Sequence, residues 1–339
     1  MAISNKLQTV ANSVTDIRTI LKACDPTLGA GHINTLDDDI RKIINSTRVV
    51  KQNPYRIEHV INNGTTMTAI SGDSDVAEII IPSTVTSIPA SGIVNCSNLN
   101  QLFVPNNITS IGNFVFEGCT SLNLTIDGTC TFGSNVFRDV QKLVLLNRSD
   151  FISTVYTFDN IRNVNNTGVF ILDGNLTKNS GIGIGDWSVI RITGNLECTA
   201  ATSVTGMSKN KAFYIDGDLK MTNGYFSYVG TGSNLSFIEV GGNVTGSYVH
   251  RVNASQYLAD GFIWHFAKTD GIACSATLAA ASYSRVGKIY VGDGSSQSAD
   301  QTVLDMYLAD SGWSAYSSKL DTWYNYVQSG GEYAIPPTI

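Results

Sequence analysis

One ten-residue pattern occurs twice in the chain, first as Ile79-Ile80-Ile81-Pro82-Ser83-Thr84-Val85-Thr86-Ser87-Ile88 and then as Leu102-Phe103-Val104-Pro105-Asn106-Asn107-Ile108-Thr109-Ser110-Ile111. The second copy starts 23 residues after the first, and the same spacing separates Cys96 from Cys119. A repeat of roughly 20–29 residues is typical of a solenoid, in which each coil buries its apolar side against its neighbours. The repetition therefore predicts a stack of β-coils.

The array continues in altered form after these two copies. Residues 124–143 follow the same plan more loosely. Later, strand-like stretches end at Gly174, Gly194, Gly217 and Gly242, each with an asparagine or aspartate beside it, at spacings of 20, 23 and 25 residues. Glycine with Asn or Asp is typical of a turn. We therefore predict a mainly β, single-chain solenoid with a parallel sheet along it, of about nine or ten coils between residues 75 and 295.

The composition excludes several classes of protein. Charged residues make up 15% of the 339 residues, against roughly 25% in an average soluble domain. The net charge is −6 and Lys and Arg form no cluster, which argues against nucleic-acid binding. No apolar run is long enough for a membrane-spanning helix. The first residues lack the pattern of a secretory signal, so we expect assembly in a cytoplasm.

The first residues predict an oligomerisation helix. Six apolar residues recur at alternating spacings of 4 and 3, which is the 3.5-residue repeat of a short coiled coil. They are Ile3, Leu7, Val10, Val14, Ile17 and Leu21. A second, short helix with Leu36, Ile40 and Ile43 on one side follows Asp25-Pro26. The seam predicts a homo-oligomer, a trimer, although an amphipathic helix packed on its own domain has a similar pattern.

Four segments follow from these patterns. We predict a helical anchor and oligomerisation segment over residues 1–46, a connecting β segment over 47–74, the solenoid over 75–295 and a helical cap with a tail over 296–339. Solenoids need atypical end units to cover their apolar ends. In the cap, Val303, Leu304, Tyr307 and Leu308 predict one helix ending near Gly312, and Trp313, Tyr316, Leu320 and Trp323 predict a second. We expect these aromatic residues to pack rather than bind, and the tail with Pro336-Pro337 to dock on a neighbour or to be disordered.

The first coils resemble a known family. Two stretches resemble the leucine-rich repeat of the BspA-like type. The first is Ile81-Pro82 to Leu99, and the second and more specific one is Val104-Pro105 through Ile111-Gly112-Asn113-Phe114-Val115-Phe116-Glu117-Gly118-Cys119-Thr120-Ser121-Leu122. The resemblance implies a leucine-rich-repeat or β-helix-like coil. Proteins with such repeats include bacterial surface adhesins and structural proteins of bacteriophages. The opening segment, with Ile33-Asn34-Thr35-Leu36, looks like the N-terminal module of phage tail and fibre proteins, and Trp313-Ser314-Ala315-Tyr316 resembles the ending of phage-borne repeat proteins.

A search for chemistry finds no motif for a catalytic residue, a metal or a cofactor. Gly181-Ile182-Gly183-Ile184-Gly185-Asp186 is not followed by a helix, as a nucleotide loop would be. The six cysteines lack zinc or disulfide spacing and predict small buried residues. A glycosidase needs two carboxylates about 5–10 Å apart. The carboxylates of the array that would have to converge for this are Asp173, Asp186, Asp216, Asp218 and Glu239.

A binding surface is the more plausible prediction. Aromatic residues cluster in the later coils, and segment 247–285 departs from the period, as loops inserted on a binding face do. Aromatic rings stack on sugars, although such rings also fill cores. The candidate ligand-binding residues are Tyr225, Tyr228, Tyr248 and Trp264.

These observations together predict a non-enzymatic structural protein of a bacteriophage virion, in a fibre, the tail or a capsid decoration. It would bind other virion proteins through its N-terminus and attach to a host surface glycan, with no nucleic-acid partner and no membrane insertion. The alternatives are a glycan-cleaving phage spike and a bacterial cell-surface adhesin.

Overall fold

The computed structural model describes residues 56–59, 66, 69–72, 76–128, 130–146, 151–152, 168–178, 182–183, 187–198, 203–205, 212–222, 225–226, 237–246, 262–271, 286–331 and 336–339. The chain divides into a unit over Met1–Ile57 and a unit over Glu58–Ile339. The predicted helical anchor over residues 1–46, with its six seam residues, lies outside the described residues.

A sheet of twelve strands, which we call the long sheet, runs along the solenoid. Its strand order follows the chain, and each pairing from Val76–Ile80 onward is parallel. The predicted mainly β solenoid is thereby confirmed. The strands are Arg56–His59, Val76–Ile80, Gln101–Val104, Asn123–Asp127, Lys142–Leu146, Val169–Asp173, Val189–Ile192, Ala212–Ile215, Phe237–Val240, Phe262–Phe266, Val286–Val291 and Leu320–Thr322.

Four smaller sheets hold the other sides of the coils. In the early coils, Ile70–Ser71 pairs with Ile93–Val94, and a second sheet contains Ser87–Ile88, Ser110–Ile111 and Thr131–Phe132. In the later coils, one sheet contains Phe151–Ile152, Leu176–Lys178, Leu196–Cys198, Leu219–Met221 and Val244–Gly246, and another contains Ile182–Gly183, Ser203–Thr205 and Tyr225–Phe226. The two quoted copies of the repeat therefore lie in register, since Ser87 pairs with Ser110 and Ile88 with Ile111.

The core lies on one side of the long sheet. Along Gln101–Val104, Leu102 and Val104 are buried in the core whereas Gln101 and Phe103 are exposed, because successive side chains of a strand point to opposite faces. Cys96, Cys119, Cys130 and Cys198 are buried free thiols, which confirms the prediction for these four. A hydrogen bond with Cys96 and then burial raise the pKa of Cys119, and burial raises the pKa of Cys130 to about 12. Thiols of this kind are inert.

The corners of the early coils use residues in the left-handed backbone region. Ser91, Phe114 and Asn135 occupy equivalent positions of successive coils and have φ angles of 52°, 55° and 54°. This conformation is common for Asn but rare for Phe. Asn95 and Gly118, at a second equivalent position, have φ angles of 56° and 77°, so backbone conformation sets these corners.

The corners of the later coils contain a ladder of side chains. The backbone N–H of Asn195 donates to Oδ1 of Asn175 at 2.7 Å, that of Asp218 to Oδ1 of Asn195 at 2.7 Å, and that of Asn243 to Oδ1 of Asp218 at 2.6 Å. A Cβ atom at Gly217 would lie 2.3 Å from Oδ1 of Asn195, and Gly194 and Gly242 have the same close approach to the rung before them. The predicted strand followed by a glycine corner is confirmed, and glycine is required because the ladder fills the space of a side chain.

The cap begins with helix α1, Gln297–Ala309, whose N-cap Ser296 accepts from the N–H of Ala299. Val303 and Tyr307 are buried as predicted, but Leu308 is exposed and the helix ends before the predicted Gly312. The predicted second helix over Trp313–Trp323 is wrong. A short 3-10 helix, Ser314–Tyr316, leads into the strand Leu320–Thr322 and then helix α2, Trp323–Gln328, because Leu320 pairs with Ile289 in the long sheet.

A buried carboxylate joins the cap to the last coil. Asp300 of α1 is fully buried and accepts hydrogen bonds from the N–H groups of Asp293 at 3.1 Å, Gly294 at 3.2 Å and Tyr324 at 2.8 Å. Backbone donors of this kind satisfy a carboxylate that has left water. Asp300 therefore fixes α1, the corner after Val286–Val291 and the first turn of α2 relative to one another.

Candidate functional site

The outer face of the long sheet is the surface that the solenoid offers to a partner. We define it as the side chains that alternate with the core residues along each strand. The strand register aligns them in two rows across the sheet. One row contains Gln101, Asn123, Lys142, Val169, Val189, Ala212, Phe237, Ile263 and Lys288, and the other contains Phe103, Thr125, Val144, Ile171, Arg191, Tyr214, Glu239, His265 and Tyr290.

Helix α2 covers the later part of this face, which we call the covered half (outer-face residues from Ala212 to Tyr290). Ala212, Tyr214, Phe237 and Tyr290 are buried there together with Trp323. The Trp323 ring lies 5.6 Å from the ring of Phe237 and 5.8 Å from that of Tyr290. Burial is the main reason that the pKa of Tyr290 rises to about 12. The covered half is thus a second apolar core outside the solenoid.

One histidine is fixed inside the covered half. His265 is 2% exposed, with Nδ1 2.9 Å from Oε2 of Glu239 and Nε2 2.7 Å from the carbonyl oxygen of Gly292. Its ring stacks on that of Trp323 at 3.9 Å. Both ring nitrogens therefore have an oxygen atom within hydrogen-bond distance. Because the ring is enclosed and both nitrogens are engaged, His265 orients the cap and presents no atom to a substrate.

The earlier part of the outer face, which we call the open half (outer-face residues from Gln101 to Arg191), is accessible at its first strands, whereas Val144 and Ile171 farther along are buried. Phe103 is 52% exposed, and Gln101 and Asn123 beside it are exposed as well. A groove of about 500 Å³ crosses these strands. Its lining comprises Gln101, Leu102, Phe103, Asn123, Leu124, Thr125, Lys142, Val144 and Ile339.

The last residues of the chain lie on the open half. Lys142 Nζ donates to the carbonyl oxygen of Thr338 at 2.7 Å, and Arg191 Nη1 donates to that of Pro337 at 2.6 Å. Asp216 holds the same guanidinium in place, because Arg191 Nη2 donates to its Oδ2 at 2.7 Å and Nε donates at 3.0 Å. The site is therefore built from a groove with both polar and apolar walls and from two cations that donate to main-chain carbonyl groups.

The carboxylates considered for glycoside cleavage have structural partners. Asp173 accepts from Thr193 Oγ1 at 2.9 Å, Asp216 is paired with Arg191, Asp218 is a rung of the corner ladder, and Glu239 contacts His265. Asp186 lies outside the described residues. Among the residues that the structure describes, no three His, Cys, Asp or Glu side chains are grouped as a metal site would require.

The aromatic residues predicted to bind a ligand are only partly described. Trp264 is fully buried in the core of the solenoid, 5.7 Å from the ring of Phe266, so its ring has no face open to a sugar. The backbone of Tyr225 belongs to the strand Tyr225–Phe226, but its side chain, and all of Tyr228 and Tyr248, lie outside the described residues.

The sequence analysis missed two groups in this region. The first is the pair of His265 and Glu239, which lie on neighbouring strands and are separated by 26 residues, close to the length of one coil. The second is the tail with Pro336-Pro337, which was expected to dock on a neighbour or to be disordered, whereas Thr338 and Pro337 contact Lys142 and Arg191 of the same chain. The spacing of about one coil could have indicated that Glu239 and His265 are neighbours. No local sequence pattern indicated the contacts of the tail with Lys142 and Arg191.

Comparison with known proteins identifies the repeats. Residues 68–168 match the BspA type leucine rich repeat region, in six copies. No curated protein and no solved structure gives a significant match to the chain. The match confirms the resemblance seen in the first coils and does not by itself indicate a bacteriophage origin. A repeat body of this type is typical of non-enzymatic binding or structural proteins and suggests a surface or adhesin-like protein.

None of the helices in the described ranges has the length and apolar character needed to cross a membrane.

Proposed function

We propose that this protein is a displayed binding protein of a bacteriophage particle. Residues 1–46 anchor it as a trimer on other virion proteins, and the solenoid projects toward a glycan on the host surface. The observation that carries the proposal is the repeat body itself: a stack of parallel coils, of BspA type over residues 68–168, whose outer face exposes Gln101, Phe103 and Asn123.

The shape of the repeat body supports a role in display. Each coil contacts only its neighbours, so a solenoid makes a long surface from a short repeat. Loops and outward-facing strands can then vary without loss of the core. The described carboxylates stabilise corners and the cap, and this favours binding over glycan cleavage.

The N-terminal seam supports the trimer and the anchor. Ile3, Leu7, Val10, Val14, Ile17 and Leu21 keep the 3.5-residue spacing that brings apolar residues of several helices together. The opening pattern is also similar to that of phage tail and fibre proteins, in which the N-terminus attaches to the particle. Both arguments come from the sequence.

The decisive experiment is quantitative mass spectrometry of purified virions. We expect the chain to copurify with the particles at a fixed number of copies that is a multiple of three. Its absence from virions, together with its presence on the bacterial envelope, would identify the adhesin instead. Release of reducing ends from host polysaccharide by the purified protein would identify a glycan-cleaving spike.

The oligomeric state is tested separately by light scattering. The double change Leu7→Asp and Val14→Asp places charges in the seam and is expected to convert a trimer into monomers. The matched control is Asn5→Asp with Gln8→Asp, which adds the same charges off the seam and is expected to leave the trimer intact. Equal behaviour of the two variants would contradict the seam.

Binding to host polysaccharide tests the glycan. Tyr225→Ala, Tyr228→Ala and Tyr248→Ala are each expected to weaken binding about tenfold, which corresponds to the loss of one aromatic stacking contact. Binding that all three variants retain in full would remove these residues from the site.

A further inference from the structure

The open half already holds a peptide, namely the end of its own chain. Helix α2 ends at Gln328, and the chain returns to the long sheet at Pro336–Ile339. Pro337 is held at the strand Val189–Ile192, Thr338 is held at the strand Lys142–Leu146, and Ile339 is one of the residues that line the groove. The last three residues therefore lie across the strands rather than along them.

The two cations hold main-chain atoms, so they recognise an extended peptide rather than a particular side chain. Lys142 Nζ and Arg191 Nη1 each donate to one carbonyl oxygen, at 2.7 and 2.6 Å. Hydrogen bonds from a charged donor are stronger than neutral ones. The Arg191 side chain is 23% exposed and already paired with Asp216, so the direction of Nη1 is set before a peptide binds.

The sheet between the two cations is apolar. Val144 and Ile171 alternate with core residues and so point to the outer face, yet they are 3% and 0% exposed. Lys142 lies two residues before Val144 on the same strand, and Arg191 is the partner of Ile171 on the next strand. Proline suits this position because its ring fixes φ and it has no N–H group that would need a partner on a surface of side chains.

We propose that the open half is a binding site for an extended, proline-containing peptide, and that Pro336–Ile339 is its built-in occupant. Lys142 and Arg191 bind the carbonyl groups of Thr338 and Pro337, and Ile339 lies at the edge of the groove with its side chain 59% exposed. The proposal goes beyond the proposed function and does not depend on it, since it concerns a contact within one chain.

The first test is the rate at which a carboxypeptidase releases Ile339 from the intact chain. Lys142→Met keeps the apolar stem and removes the donor, and it is expected to speed the release about tenfold. Asp216→Asn loosens Arg191 and is expected to give a smaller increase. The matched control is Lys288→Met, which changes a lysine of the same row of the outer face outside the open half and is expected to leave the rate unchanged. Equal rates in all four proteins would overturn the proposal.

The second test supplies the tail as a separate peptide. A full-length variant with Pro336→Gly, Pro337→Gly and Ile339→Ser keeps the chain length but weakens the built-in occupant. We expect a labelled peptide with the sequence of residues 333–339 to bind this variant saturably, and to bind the unchanged chain at least tenfold more weakly. The attached tail competes because a short linker gives it a high effective concentration.

Two outcomes of the peptide experiment would overturn the proposal: no saturable binding to the weakened variant, or equal binding to the unchanged chain. Adding Lys142→Met to the weakened variant is expected to lower peptide affinity about tenfold, whereas adding Lys288→Met is expected to have no effect. Circular dichroism of each variant shows whether the solenoid is retained, and loss of affinity without loss of the fold supports the site.

Discussion

The early coils (76–146) and the later coils (169–291) share one long sheet but differ in the exposure of their outer face and in the structure of their corners. Early outer-face residues such as Gln101 and Phe103 are exposed, whereas Tyr214 and Phe237 of the later coils are buried. Left-handed residues form the early corners, with one ladder rung at Asn113, and the later corners have three consecutive rungs. Strand pairing in the long sheet therefore determines how the coils stack, whereas the corners and the outer face can differ between the two parts.

The largest difference in the free energy of unfolding is expected between two aromatic substitutions, one in the cover of the later coils and one in the early coils. Trp323→Ala removes the ring that covers the later coils and is expected to cost about 3–5 kcal/mol in the free energy of unfolding. Phe103→Ala removes an exposed ring from the early coils and is expected to change it by less than about 1 kcal/mol. Denaturant unfolding measures both. Similar losses would show that the two parts of the outer face are not distinct.

The next prediction concerns the link between the cap and the later coils. Asp300→Ala leaves three backbone N–H groups in a buried position without their acceptor and is expected to cost about 3 kcal/mol. The control is Asp305→Ala in the same helix, where the side chain is exposed and the expected change is within about 0.5 kcal/mol. Thermal unfolding followed by circular dichroism compares them. A harmless Asp300→Ala would contradict the role of Asp300 in joining the cap.

The corner ladder is tested with a double-mutant cycle. Gly217→Ala places a Cβ against Asn195 Oδ1 and is expected to cost about 2 kcal/mol. Asn195→Ala removes one rung and is expected to cost about 1 kcal/mol. The double variant is expected to cost less than the sum, because the atom that Gly217→Ala collides with is gone. Strict additivity would show that the two residues do not share this space.

The smallest effect is expected at the buried thiols of the early coils. The pKa of Cys130 is raised by burial from its ordinary value near 9 to about 12, so above pH 9 the unfolded chain loses this proton while the folded chain keeps it. Stability is therefore expected to fall as the pH rises above 9, by roughly 1 kcal/mol at pH 10 for one thiol. In Cys130→Val the fall between pH 8 and pH 10 is expected to be shallower. An unchanged slope would exclude this thiol as its source.

Much of the fold was predictable because the repeat can be recognised in the amino-acid sequence. Ile79–Ile88 and Leu102–Ile111 predicted coils that do lie in register, and Gly194, Gly217 and Gly242 predicted corners that are present. The predicted helix through Leu320 is wrong. Trp313, Tyr316 and Leu320 have helical spacing, but Leu320 forms a strand because it pairs with Ile289 in the long sheet.

The candidate site was less predictable, because it depends on residues far apart in the chain. All five residues from Phe262 to Phe266 are aromatic, aliphatic or histidine, so alternation did not show that Trp264 faces the core and His265 the outer face. Asp300 looked like an ordinary helix residue, since its partners belong to two other elements. The contact between Lys142 and Thr338 spans 196 residues and follows only from the stacking of coils.

The strand Leu320–Thr322 has a consequence for solubility. A long parallel sheet with residues in register resembles the template on which amyloid fibrils grow, and an uncovered final strand would invite another chain to pair with it. Here the final strand has three residues and turns at once into helix α2. Few backbone groups are thus offered at that edge, so the cap that completes the core also stops the sheet from recruiting further strands.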